Sequence, residues 1–511
     1  MRLPIRPSAV AVALAAFAAT GRAGPVEDAL ALLRADRPGA AERALTTHLD
    51  RAPDDLDAWR ALGEVERKRC RLAVAEAAFA RVLERDPADA GARAGLAEVR
   101  LQAGRAEEAL ALARAAADLR PAGRPEDGRP WRVVALALAE LRRYDLAVEA
   151  ARRAVALRPD DARCAEALAA TLFRAGEMEA CRAAYARAVA LDPRAEEANL
   201  RLGNGFGPAS DDRPWLDGED APAFREATAA WDRGDLESAA RAFADLTARR
   251  PTAWKYRLGL GLARVSLRRR GEAWLGGDPV SLYLRVPAPE VEGLERVVPG
   301  FSRLRDAERH AVLVAVGPAR AMLPAMAAAG ATHEVLPLAS DLSDAAARAD
   351  LRGRRTFDGR WYAHLRGVGG AQGATGVEKL REAAEFGFHT FAHEWGHQVH
   401  RYGLAAPQRA RVTALYAAAK ARDAFLDYYA AADEDEYFAQ GYEAFVSPLK
   451  RGCLTETARH TRTELGRRDP ALLAFLVEVL DVAYESEDAM RALLAAARGE
   501  AEGPRPEPAS R

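Results

Sequence analysis

Cysteine is scarce in this sequence, with four in 511 residues. None has metal-ligand spacing, so a cysteine-held zinc site and a disulfide framework are both excluded. Cys164 and Cys181 form the one close pair. On two antiparallel helices of a hairpin they would sit at unequal heights, which favours small core residues over a bridge. Net charge is also lacking: Lys and Arg number 74 against 75 Asp and Glu, leaving −1. Such a balance gives no reason to invoke nucleic acid or an anionic membrane as partner. Past the N-terminus no apolar run reads as long enough to span a bilayer, so no integral membrane segment is expected. Hydrophobic residues at 49% and charged residues at 29% are globular values. The length suggests two to four domains.

The N-terminus has the look of an export signal. Arg2 and Arg6 precede an apolar, small-residue stretch from Ser8 to Thr20, and Gly21 and Ala23 supply a small-x-small cleavage site. Residues 1–23 are therefore expected to be a signal peptide, and the mature protein periplasmic or secreted. At the other end, residues 499–511, GEAEGPRPEPASR, are rich in Pro and Glu and read as a disordered tail.

A repeat dominates the first half. Pro53, Pro87 and Pro121 are spaced by 34 residues, as are Pro159 and Pro193. Within one unit Trp59, Leu62, Gly63, Ala75, Phe79 and Pro87 take aromatic, apolar, small, small, aromatic and proline positions. A later unit repeats this with Leu168, Ala169, Cys181, Tyr185 and Pro193. Small residues belong where the two helices of a hairpin cross, and large ones fill the groove between hairpins. The pattern resembles the tetratricopeptide repeat family. That resemblance implies an all-α solenoid over 24–268, interrupted by a loop insertion at about 205–222, binding a protein or peptide partner and folding by itself. A linker is expected at 269–280. The remainder, 281–498, mixes strand-like runs (SLYLRV and HEVLPL) with long helical stretches and reads as an α+β domain.

Chemistry is concentrated at HEWGH, residues 393–397. Helical pitch puts His393 and His397 on one face, where both can reach one metal ion, and Glu394 beside them occupies a general-base position. Phe388, Phe391, Ala392, Trp395 and Val399 are expected on the opposite, buried face. His389 and His400 also project near the metal face and read as residues that support the ligands or rim the site, not as ligands. A catalytic zinc ion ordinarily has three protein ligands. The position where a third histidine could follow is Gly403, so a carboxylate is required. DEDEYFAQGYEAF, 433–445, offers Glu434, Asp435, Glu436 and Glu443, and helical position alone leaves the choice open. The extended stretch Arg360–Arg366 is a candidate edge strand for substrate addition.

HEWGHQVHRYG followed by YAAADEDEYFAQGYEAF resembles the catalytic domain of anthrax toxin lethal factor and its relatives, a zinc metallopeptidase family, over about 392–446. The resemblance implies a zincin-like fold for 281–498, Zn2+ as cofactor and peptide-bond hydrolysis. It makes Glu436 the third ligand and Tyr429, seven residues earlier, the group that assists the oxyanion or leaving amine. Tyr442 stands where the family pattern has Phe, and His400 where lethal factor has an acidic residue, so no substrate carries over. A catalytically inert repeat scaffold and a metal-dependent amidase acting on cell-wall peptides are the alternatives.

Overall fold

The computed structural model describes residues 24–35, 37–119, 127–206, 213–271, 279–450 and 460–481. The expected signal peptide and tail lie outside these residues.

From Pro25 the chain forms antiparallel helical hairpins. Leu56–Lys68 pairs with Leu72–Arg85, Ala90–Gln102 with Ala106–Asp118, Gly128–Glu140 with Tyr144–Leu157, and Ala162–Arg174 with Met178–Leu191. The first helix of each of these pairs starts at an aspartate whose side chain accepts a backbone N–H: Asp55 from Ala58, Asp89 from Ala92, Asp127 from Arg129 and Asp161 from Arg163. These caps satisfy donors that the first helical turn leaves free. Alanine supplies the close crossings, and Phe79 and Tyr185 the buried bulk between hairpins. Glu196–Leu202, Ala221–Arg233, Leu236–Arg249 and Trp254–Gly271 complete the all-helical region. Cys70, Cys164 and Cys181 are free.

The solenoid core is not self-contained at its last hairpin. Leu338, from the C-terminal region, is buried among Trp215, Phe224, Phe243, Trp254 and Tyr256. Trp215 Nε1 donates to Ala339 O at 3.0 Å, and Lys255 Nζ to Ser340 O at 2.7 Å. Leu338 and Ala339 thus tie the last hairpin's core to the C-terminal region, and the last helix runs through Gly271.

The C-terminal region is a small mixed sheet among helices. β1 (Thr332–Leu336) pairs in parallel with β3 (Gln372–Gly376), and β2 (Gly367–Val368) pairs antiparallel to β3, in the order β1-β3-β2. Helices Asp306–Val316, Val377–Ala384, Thr390–Gln398 and Glu434–Phe445 pack a common apolar core around Phe391, Trp395, Phe438 and Tyr442.

Four sequence expectations are corrected here. SLYLRV is not a strand: Pro279–Tyr283 is a helix, because Leu282, Tyr283 and Val286 bury at helical rather than alternating spacing. Arg360–Arg366 is not an edge strand either. It turns through a 3-10 segment at Tyr362–His364, and Gly367–Val368 takes the edge. Phe388 precedes the motif helix and faces the cleft instead of the core. Finally, Asp306–Ala328 is long and apolar enough to cross a membrane by length and composition. Here it is a core element, interrupted by a 3-10 turn from Gly317 to Met322.

Candidate metal centre

The motif helix Thr390–Gln398 is held at both ends. His389 caps it, its Nδ1 accepting from Ala392 N at 3.2 Å while Nε2 lies 3.0 Å from Ala311 O. Burial holds the His389 imidazole down at about 4, and its Nε2 faces Ala311 O instead of the cleft. Beyond Gln398 the helix widens into a π turn, Val399–Gly403. Phe391, Ala392, Trp395 and Val399 are fully buried, and the Phe391 ring lies 4.2 Å from His333. Gly403 could not be a histidine without displacement: a Cβ there would lie 2.9 Å from Met322 Sδ.

Helix Glu434–Phe445 crosses the motif helix at Gly396. A side chain at Gly396 would lie 3.0 Å from Ala439 Cα, so the small residue sets the approach. Asp433 caps this second helix by accepting from Glu436 N at 2.9 Å. Asp435 accepts from His400 Nδ1 at 2.8 Å, with His400 stacked on Phe438. Arg401 also pairs with Asp435.

That crossing brings Glu436 to the two motif histidines. Its Oε2 lies 3.2 Å from His393 Nε2 and 3.5 Å from His397 Nε2, and the two Nε2 atoms are 3.3 Å apart. These three side chains offer ligand atoms all within 4.8 Å of one another. Glu436 Oε2 is buried with no hydrogen-bond donor aligned on it. An orphaned carboxylate oxygen facing two imidazole nitrogens fits a cation better than it fits a neutral hydrogen-bond network. Burial alone would raise the Glu436 carboxyl; the histidines outweigh it and hold it at about 2. Burial alone would likewise lower His393, yet Glu436 and Glu394 raise it to about 9.

Of the other carboxylates, Glu434 is in the first turn of its helix and Asp435 is engaged by His400 and Arg401. Glu443 is buried elsewhere, accepting from His389 N at 2.8 Å and pairing with Lys450. Glu394 lines the cleft beside the cluster, and burial raises its carboxyl. Sequence reasoning missed what fits against it: a Cβ at Gly367 would lie 2.4 Å from Glu394 Oε1. The glycines of RGVGG were the available signal. The Tyr429 ring stands 6.0 Å from that of His393, with the Arg360 guanidinium 5.6 Å from the Tyr429 centroid. Arg360 and His460, both lining the cleft, had no motif to mark them.

A solenoid of helical hairpins joined to a small mixed-sheet region is the class the architecture defines. The hairpins are tetratricopeptide repeats: the tetratricopeptide repeat model matches residues 26–89, 67–124, 134–196 and 224–273. No match to a curated protein is found. Among solved structures, a thermophilic tetratricopeptide repeat protein of Thermus thermophilus is 23% identical, covering 35% of this chain and 94% of that one, with a TM-score of 0.32. PilF of Pseudomonas aeruginosa is 18% identical, covering 46% and 93%, at 0.30. MamA of Desulfovibrio magneticus is 20% identical, covering 34% and 95%, at 0.26.

Proposed function

We propose that the C-terminal region is a zinc-dependent metallopeptidase of the lethal factor-like kind, exported, with the repeats serving protein or peptide binding. The observation that carries this reading is the meeting of His393, His397 and Glu436 at one point beside Glu394. His393 Nε2, His397 Nε2 and a Glu436 carboxylate oxygen would hold the ion. Bound there, zinc would supply Lewis acidity, polarising a carbonyl and acidifying a water.

The chain's own groups would do the rest. Glu394, beside the two histidines but outside their cluster, would accept a proton from water and return it to the departing amine. Its raised carboxyl suits proton transfer in both directions. Tyr429, a phenol whose burial strongly opposes ionisation, would remain protonated and donate a hydrogen bond to the developing oxyanion. Gly367, lacking a side chain, leaves room for the Glu394 carboxylate to lie against the strand edge.

The test is casein turnover by the zinc-loaded protein. The wild type should cleave casein, and Glu394→Gln should lose about 10²–10⁴-fold in rate while retaining zinc. A zinc-loaded wild type with no turnover would support the inert scaffold instead. Turnover of cell-wall peptides alone would support the amidase.

A further inference from the structure

His393 and Glu394 open on a cavity of about 610 Å³ whose walls come from distant parts of the chain. One wall is the C-terminal region, carrying His393, Glu394, Tyr428 and Gln440. The other is formed by successive repeat hairpins and the turn after Leu202, including Gln102, Phe173 and Asn204. The two are joined firmly. Arg142 Nη1 donates to Asp423 O at 2.8 Å and to Phe425 O at 3.0 Å. Arg381 Nη1 pairs with Asp232 at 2.9 Å, its guanidinium 4.2 Å from the Trp231 centroid. Phe173 meets Tyr428 edge to face at 5.5 Å.

Both walls carry buried polar atoms with no hydrogen-bond partner among the described residues. On the repeat side these are Gln102 Oε1 and Asn204 Oδ1; on the other, Gln440 Oε1 and the Tyr428 hydroxyl. Gln440 is 4% exposed and follows Glu436 by one helical turn, on the same face. Its Nε2 is drawn to the Asp427 carboxylate at 3.3 Å, which leaves Oε1 as a free acceptor. Amides and a hydroxyl with no protein partner beside one cavity are groups that a ligand with matching donors and acceptors would pair with. Charge gives no other preference, because lining ions pair with each other: Glu197 with Arg201 at 2.7 Å, Lys379 with Glu382 at 2.7 Å, and Arg366 with Glu378 at 2.6 Å.

We infer that the repeat face is itself one wall of the substrate site, and that the cavity takes a single extended segment of unfolded polypeptide by its main chain. This rests on the peptidase reading for its chemistry, but the binding claim is separable from it. An extended strand has the free N–H and C=O groups that orphaned amides and a hydroxyl complement, whatever its side chains. A folded domain has already paired those groups and exceeds a cavity of this volume. The repeats thus hold the chain being cut, instead of presenting a platform to a separate partner.

The test uses full-length protein carrying Glu394→Gln and fluorescent ribonuclease A, either native or reduced and carboxymethylated, read by anisotropy. The unfolded form should bind, and the native form about tenfold more weakly or worse. Gln102→Ala and Asn204→Ala, checked for unchanged helical melting, should each weaken binding about three- to tenfold. Leu146→Ala, an exposed repeat residue outside the cavity, should change nothing. Unchanged affinity in both repeat-wall variants, equal binding of native ribonuclease, or no binding of the unfolded chain would overturn the inference. Failure of the peptidase reading would instead show as a zinc-loaded wild type that binds unfolded chains without cutting them.

Discussion

The two halves of this molecule bury different chemistry. The solenoid interior is mostly alanine with an occasional large residue, such as Phe79 or Tyr185, and a buried charge in it, Glu98, is met by Arg67, Arg129 and Arg132 from the hairpins on either side. The C-terminal region buries whole ionic and polar arrangements: Arg366 with Glu378, Glu443 with Lys450, and His333 between Gln398 and Thr375. A repeat stack needs only nearest-neighbour packing, whereas a site that orients functional side chains needs fixed polar supports.

Breaking one support in each half sharpens that contrast. Arg366 is fully buried and, besides Glu378, donates to Pro337 O at 2.9 Å and to Ser340 O. Arg366→Met strands the Glu378 carboxylate and should cost about 3–5 kcal/mol, seen in urea titration as loss of the C-terminal transition. Phe79→Ala should cost a similar ~3–5 kcal/mol by leaving a cavity. That loss should stay within the adjoining hairpins and leave the zinc content of the C-terminal region unchanged. An equal loss of zinc in both variants would remove the distinction.

A smaller effect is expected at the site. Tyr429→Phe removes only a hydroxyl, so zinc should stay bound and the Michaelis constant change little, while turnover falls roughly a hundredfold. Full activity would move the oxyanion donor to another group, such as Tyr428.

The smallest effect lies where the halves join. Lys255 is fully buried between Asp341, Ser340 O and the Trp254 ring. Burial, aided by the Arg366 charge, lowers its amine to about 7. An unfolded lysine holds its proton to about pH 10.4. Between those values the unfolded chain therefore binds more protons, and stability should rise with pH from about 7 to 10. Lys255→Met should flatten that slope in denaturation measured across the window; an unchanged slope would mean the pairing with Asp341 offsets burial.

The contrast also explains what could be read in advance. The hairpins were legible because a 34-residue period repeats the same packing demand many times, so errors at one position do not matter. HEWGH was legible because two histidines four apart share a helix face. The choice among Glu434, Asp435, Glu436 and Glu443 was not, since it depends on how two helices cross at Gly396 and Ala439. The strands were only partly legible: β1 was found in HEVLPL, but β2 is two residues long and no run of that length carries a pattern. The shared cavity was invisible, because Gln102, Asn204 and Gln440 are ordinary polar residues until the fold brings them to one space.

The central claim is that His393, His397 and Glu436 hold one metal ion. Zinc per chain, measured by mass spectrometry after dialysis of the purified protein against a weak chelator, tests it most directly. The account predicts about one zinc in the wild type and little in His393→Ala, His397→Ala or Glu436→Ala, because two ligands hold zinc far more weakly than three. A full complement of zinc in all three variants, or loss in Glu443→Ala but not in Glu436→Ala, would contradict it.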